Sequence, residues 1–171
     1  RQREMCIRVR CGNGGSAGNA IHLANDFIYG IDKKNGVGLK VEALTANSSV
    51  LTCLANDEGY ETIFSQQLKV KARQDDLLIV LSGSGNSQNV VRALEVGNNI
   101  GMKTFAILGY TGGKCKQLAQ YPIHFEIDDD YMFDVKQEIV NNSNKTFEVF
   151  PYRLIKRINR PDTINFFILH E

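Results

Sequence analysis

Leu77-Leu78-Ile79-Val80-Leu81-Ser82-Gly83-Ser84-Gly85-Asn86-Ser87 is the stretch on which the reading of this chain turns. Five apolar residues in a row leave no polar phase, so both faces of the strand they predict, Asp76 to Leu81, must be covered, as in the centre of a parallel sheet. The strand runs straight into a serine-glycine loop, and a helix is predicted from Gln88 to Ile100 with Val90, Ala93, Leu94 and Gly97 on its inner side. Such a loop suits a phosphate. Gly83 and Gly85 let the backbone turn tightly, Ser82, Ser84 and Ser87 each offer a hydroxyl, Asn86 adds an amide, and the helix start contributes its positive dipole end. A flexible linker is the alternative, and a position between a buried strand and an amphipathic helix argues against it.

Working outward, the chain alternates β-rich runs with stretches of helical period, which predicts a three-layer α-β-α sandwich around a five-stranded parallel sheet of flavodoxin-like type. The other strands are expected at Met5 to Arg10, Lys40 to Leu44, Lys103 to Leu108 and Ile123 to Ile127. Further helices are expected to start after Gly14-Gly15 with Ser16 as N-cap, and to cover Ser48 to Ala55, Tyr60 to Ala72 and Lys114 to Ala119. Ala17, Ala20, Ile21, Leu23, Ala24, Phe27 and Ile28 form one apolar arc on the first of these. In the first strand Met5, Ile7 and Val9 alternate with Cys6, Arg8 and Arg10, a pattern suited to a half-exposed strand.

With 171 residues, 43% of them apolar, residues 1–171 are expected to form one domain. Basic and acidic residues balance at 20 against 19, so electrostatics alone points to no nucleic-acid partner. Cys6, Cys11, Cys53 and Cys115 form no CxxC pair and read as reduced structural thiols of a cytoplasmic protein. No apolar run reaches the ~18 residues of a membrane span. From Asp128 onward Asn141-Asn142-Ser143-Asn144, Pro151 and Pro161 break the pattern, and the tail 128–171 is left without assigned elements.

Cys11-Gly12-Asn13-Gly14-Gly15-Ser16 is a second glycine-rich turn leading into a helix. Gly12-x-Gly14-x-x-Ala17 taken alone resembles a dinucleotide fingerprint, but that reading needs an acidic residue about 20 positions on, at the end of the second strand. Asp32 precedes the strand and Glu42 lies within it. On the polar arc of the first helix His22 and Asp26 stand four apart, a spacing that either holds a divalent metal or forms a solvated polar face.

Taken in order, Cys11 to Ser16, His22, Asp26, Leu51 to Asp57, Phe64 to Gln67 and Ser82 to Ser87 resemble the bacterial sedoheptulose 7-phosphate isomerases, a phosphoheptose isomerase family with the SIS (sugar isomerase) fold. The likeness covers about residues 11–127. It implies that the serine loop binds the sugar phosphate, with Gly83 where many members carry threonine. Asn13, Gly14 and Ser16 would contact the open-chain sugar, and Asn47 stands where many members have aspartate. The family's histidine and glutamate fall on His22 and Asp26, so Asp26 is the expected base and His22 a metal ligand or orienting partner. Zinc would be held by His22 and Asp26, and Gln137 would reach the substrate. The implied reaction is an aldose–ketose interconversion through an enediolate, supplying heptose to surface polysaccharide, in a homotetramer.

The family's second histidine is not found. Aligning Gln137-Glu138 on its motif puts Lys145 at that position, the other register puts Asn142 there, and His170 lies too far along. His124 reads as a packed or edge histidine. A non-catalytic SIS protein that binds a sugar phosphate or a protein such as a replication initiator is therefore the second expectation, and an NAD-dependent enzyme the third.

Overall fold

The computed structural model describes residues 7–30, 34, 38–127 and 133–135. Its strands are β1 (Ile7–Cys11), β2 (Glu42–Ala43), β3 (Leu77–Ser82), β4 (Lys103–Leu108), β5 (Tyr121–Ile127) and β6 (Phe133–Val135). They lie in the order β2-β1-β3-β4-β5-β6, with the first five parallel and β6 antiparallel to β5. The expected five-stranded parallel sheet is present, and β6 extends it by a short edge strand. From β1 the chain steps outward to β2, then returns to the other side of β1 for β3. Right-handed crossovers in opposite directions put the helix after β1 and the helix after β3 on opposite faces, which makes the three layers. At the reversal the loops after β1 and β3 emerge side by side, the place where open α/β sheets bind ligands.

The helices are α1 (Gly15–Asn25), α2 (Ser48–Asp57), α3 (Ser65–Lys71), α4 (Gln88–Ile100) and α5 (Gly113–Leu118). Helix α4 follows its pattern closely: Val90, Val91, Ala93, Leu94 and Gly97 are buried, and Gly101 ends the helix with φ 85°, its N–H bonded to the carbonyls of Gly97 and Asn98. Together with Phe64, Leu68, Leu78, Val80, Met102, Ala106 and Leu108 it builds the core. Each fully buried large side chain there contributes about 1.5–3 kcal/mol. The Phe64-Ser65-Gln66-Gln67 stretch serves that core: Phe64, Ser65 and Gln67 are buried, and Gln67 donates from Nε2 to the carbonyls of Leu44 (3.1 Å) and Ile63 (2.9 Å).

Several sequence expectations are corrected. Strand β1 is interior, between β2 and β3, and Arg10, assigned to its open side, has 0% exposure. Ser16 is not the cap of α1. The helix begins two residues earlier than that cap would set, Gly14 (φ 54°) is the N-cap with no side-chain bond, and the Ser16 N–H instead donates to the Asn13 carbonyl at 3.0 Å. Of the apolar arc, Ala20 and Ala24 are buried, but Ile21 and Ile28 are exposed. A π-helical turn at Asp26–Gly30 inserts an extra residue and rotates Ile28 off the arc, while two-residue β2 gives Ile21 little sheet to cover. The expected helix from Tyr60 to Ala72 is split into a 3-10 turn, Tyr60–Thr62, and α3, because Ile63 and Phe64 both turn inward between them.

Candidate functional site

Ser82 ends β3 with its hydroxyl buried, accepting the Gly85 N–H at 3.1 Å. The Ser84 hydroxyl accepts the Asn86 N–H at 3.3 Å. The Asn86 side chain fastens the loop: Nδ2 donates to the Ser84 carbonyl (3.2 Å) and Oδ1 accepts the Lys114 N–H (3.1 Å). Gly85 sits at φ 66°, where a Cβ would overlap the Gly112 carbonyl, so no other residue fits. Its own carbonyl accepts the Cys115 N–H at 2.9 Å. Ser87 is the N-cap residue of α4 and makes no side-chain capping bond, which leaves its hydroxyl at the positive end of the helix. The loop is thus a pre-formed cradle, pinned from both sides.

The first loop comes close to it. A Cβ on Gly12 would lie 2.7 Å from the Ser16 Cβ and 2.8 Å from the Leu81 carbonyl, at the end of β3. Asn13 and Asn89 exchange two amide hydrogen bonds, Asn13 Nδ2 to Asn89 Oδ1 (2.9 Å) and Asn89 Nδ2 to Asn13 Oδ1 (2.8 Å), and the Tyr60 hydroxyl donates to the same Asn13 oxygen at 3.2 Å. Asn89 also caps the Val90 N–H at 2.9 Å. This clasp joins the two loops, and sequence reasoning missed Asn89 and Tyr60. The signal was available for Asn89: it is a polar residue four before Ala93 on the buried stripe of α4, where a polar group needs a partner.

His22 and Asp26 are both exposed on the helix that follows the first loop, and Asp26 opens the π-helical turn. Beneath them the Arg10 guanidinium lies 3.9 Å over the Phe27 ring, and among the described residues its Nε and both terminal nitrogens make no hydrogen bond. Burial lowers Arg10 from its ordinary pKa, and the nearby charge of Asp26 opposes that shift. Asn47 is the N-cap of α2, accepting the Val50 N–H at 3.1 Å, so its Oδ1 is engaged. It borders an open groove of about 560 Å³ whose opposite wall is Ile21, Ala24, Asn25 and Ile28 of α1 and its extension. Gln137, Asn142, Lys145 and His170 lie outside the described residues. Among the described residues no three His, Cys, Asp or Glu side chains cluster as a metal site.

Glu42 opens β2 and forms an ion pair with Lys71. Cys11 and Cys115 are buried and their thiols are pushed up by desolvation, Cys115 to about 11. Cys53 is exposed, and its thiol is raised by its hydrogen bond to Asp57. Cys6 lies outside the described residues.

A family model of the SIS domain matches residues 7–109, more than half of the chain. The chain belongs to the SIS-domain family. It is similar to the phosphoheptose isomerase of Akkermansia muciniphila, 46% identical over 113 residues that make up 66% of this chain and 59% of that protein. That of Helicobacter pylori strain P12 is 41% identical over 121 residues, 70% of this chain and 62% of that one. Among solved structures, a phosphoheptose isomerase from Neisseria gonorrhoeae aligns with TM-score 0.61 at 36% identity, covering 67% of this chain and 59% of that one. One from Francisella tularensis aligns with TM-score 0.66 at 28% identity, covering 73% and 65%. The chain therefore spans about three fifths of the length of the curated relatives it matches. A second family model, the YidC periplasmic domain, matches residues 115–171, a third of the chain, and does not overlap the SIS match. Among the described residues no helix is long and apolar enough to cross a membrane.

Proposed function

We propose that this SIS-domain chain holds a sugar phosphate by its phosphate at Ser82–Ser87 and interconverts ketose and aldose phosphates, sedoheptulose 7-phosphate and a heptose 7-phosphate. The observation that carries the reading is the pre-formed serine loop at the start of α4, at the point where the strand order reverses and beside the Cys11–Ser16 loop. The Asp26 carboxylate removes a proton from C1 of the ketose, and the electron pair forms the C1–C2 double bond of an enediolate. Returning a proton to C2, while the C1 hydroxyl gives up its proton to become the aldehyde, completes the aldose. His22, one turn earlier on the same helix face, orients the sugar or carries the proton between the two oxygens. Among the described residues His22 and Asp26 supply two donors where zinc takes three or four protein ligands, and the proton transfers above use these two side chains themselves.

The same reading makes the protein a cytoplasmic homo-oligomer, a tetramer, serving surface-polysaccharide synthesis. Support for assembly comes from the exposed Ile21, Ile28, Tyr29 and Val70 on and beside the first three helices. A second reading, a non-catalytic protein that binds a sugar phosphate or a protein partner such as a replication initiator, is favoured by one observation. The side chains of His22 and Asp26 are both exposed, and among the described residues neither makes a side-chain hydrogen bond, Asp26 having only the charge of Arg10 nearby, whereas general bases are usually fixed by their neighbours.

The test is aldose formation from sedoheptulose 7-phosphate by the wild type and by Asp26→Asn. The isomerase reading expects turnover that falls at least ~100-fold in the variant with binding retained. Binding without wild-type turnover moves the chain to the second reading.

A further inference from the structure

The loop Gly109-Tyr110-Thr111-Gly112-Gly113 between β4 and α5 has no part in the function above, yet it is built against the serine loop. The Gly109 N–H reaches the Gly83 carbonyl at 3.1 Å, and the Lys114 and Cys115 N–H groups bond to Asn86 and Gly85. Between these attachments Tyr110 adopts φ 48°, a left-handed conformation that a side chain with a Cβ rarely takes. Its carbonyl is held by His124 Nε2 at 2.7 Å. Lys116 Nζ lies 2.9 Å from the other ring nitrogen, so Nδ1 is the acceptor and Nε2–H the donor, and the tautomer that fastens Tyr110 is set by its neighbours.

The strained backbone sends an aromatic ring outward instead of into the core: Tyr110 is 83% exposed. The ring stands beside Gly83, with Cε2 3.5 Å and Cδ2 3.8 Å from where a Cβ on that residue would sit. A Cβ at Gly83 would be in ordinary van der Waals contact with this ring, so the tyrosine lies directly beside the serine loop. Backbone strain held by specific hydrogen bonds is found where a side chain must be presented to a ligand.

We propose that Tyr110 is a ligand-binding residue that walls the site beside Gly83, its ring packing on the carbon chain of a sugar whose phosphate is seated at Ser82–Ser87. The inference rests on the reading of that loop as the phosphate site. Phosphate itself is held by the loop and gains nothing from the ring. The carbon chain beyond it does, so Tyr110 sets the preference for a sugar phosphate over a bare anion.

Calorimetric titration of the full chain with inorganic phosphate and with sedoheptulose 7-phosphate separates the two ideas. Tyr110→Ala should weaken the sugar phosphate by about tenfold and leave inorganic phosphate within about twofold, and Tyr110→Phe should keep most of the affinity. Thermal melts confirm that each variant is folded. Equal weakening of both ligands in Tyr110→Ala, or no change in either, overturns the role of Tyr110 while the phosphate site stands. A wild type that binds neither ligand overturns the phosphate site and the inference together.

Discussion

The two helices that leave the paired loops differ sharply in how the fold treats them. Helix α4, after the serine loop, buries six of its residues and is stitched through Asn89 to the first loop. Helix α1, after the first loop, buries only Ala20 and Ala24, and it lies over an arginine whose nitrogens find no hydrogen bond. Ser82, Ser84 and Ser87 therefore sit on a rigid wall, while His22 and Asp26 sit on a lightly covered one. The lesson is that the proposed phosphate loop draws its donors from a single strand-loop-helix unit, whose backbone groups and hydroxyls supply them. Acid–base side chains need neighbours to fix them. In this chain those neighbours are not among the described residues, and the proposed homo-oligomer is one source of them.

The sharpest way to break that contrast is to truncate one apolar residue on each helix. Leu94→Ala on α4, at 0% exposure, should destabilise the protein by about 2–5 kcal/mol in urea unfolding. Ile21→Ala on α1 should fall within about 0.5 kcal/mol of wild type. If Ile21→Ala proves as damaging as Leu94→Ala, the α1 face is covered in solution, and sedimentation of the variant should then show dissociation.

A smaller effect, of opposite sign, is expected beneath α1. Arg10→Met removes a buried charge whose stacking on Phe27 offsets only part of its desolvation, and should stabilise the protein by about 1–3 kcal/mol. A melting temperature that falls instead would mean that Arg10 has a partner in solution, and α1 would count as anchored.

The smallest effect concerns pH on the α4 side. In the folded protein Cys115 keeps its proton up to about 11, whereas the unfolded thiol ionises near 9.0. Raised in the folded state, this group contributes stability that is fully present below pH 9 and lost as the pH rises toward 11. Urea midpoints at pH 8 and pH 10.5 should show the decline, and Cys115→Ala should flatten part of it.

Much of this was legible in the residues. The apolar run of β3, the serine loop and the period of α4 each follow from local pattern, and the bounds of β4 and α4 match the expected ones, because strand burial on both faces and a helix with one buried stripe leave direct marks on the order of residue types. Less was legible at β1 and α1. Arg10 read as an exposed residue because alternation alone assigns it to the open phase, and only the insertion of β1 between β2 and β3 buries it. The cap at Gly14 and the π-helical turn at Asp26 are adjustments of one or two residues that composition does not mark.

By itself, then, the sequence determined the fold class, the central strand and the position of the serine-glycine loop, since each depends on interactions within a few positions of chain. The tertiary structure decided which loops meet. The reciprocal amides of Asn13 and Asn89, the hold of His124 on Tyr110 and the ring beside Gly83 join residues far apart in sequence. The first contact exists because the strand order reverses between β1 and β3 and sets their loops side by side, and the other two because β3, β4 and β5 are neighbours in the sheet.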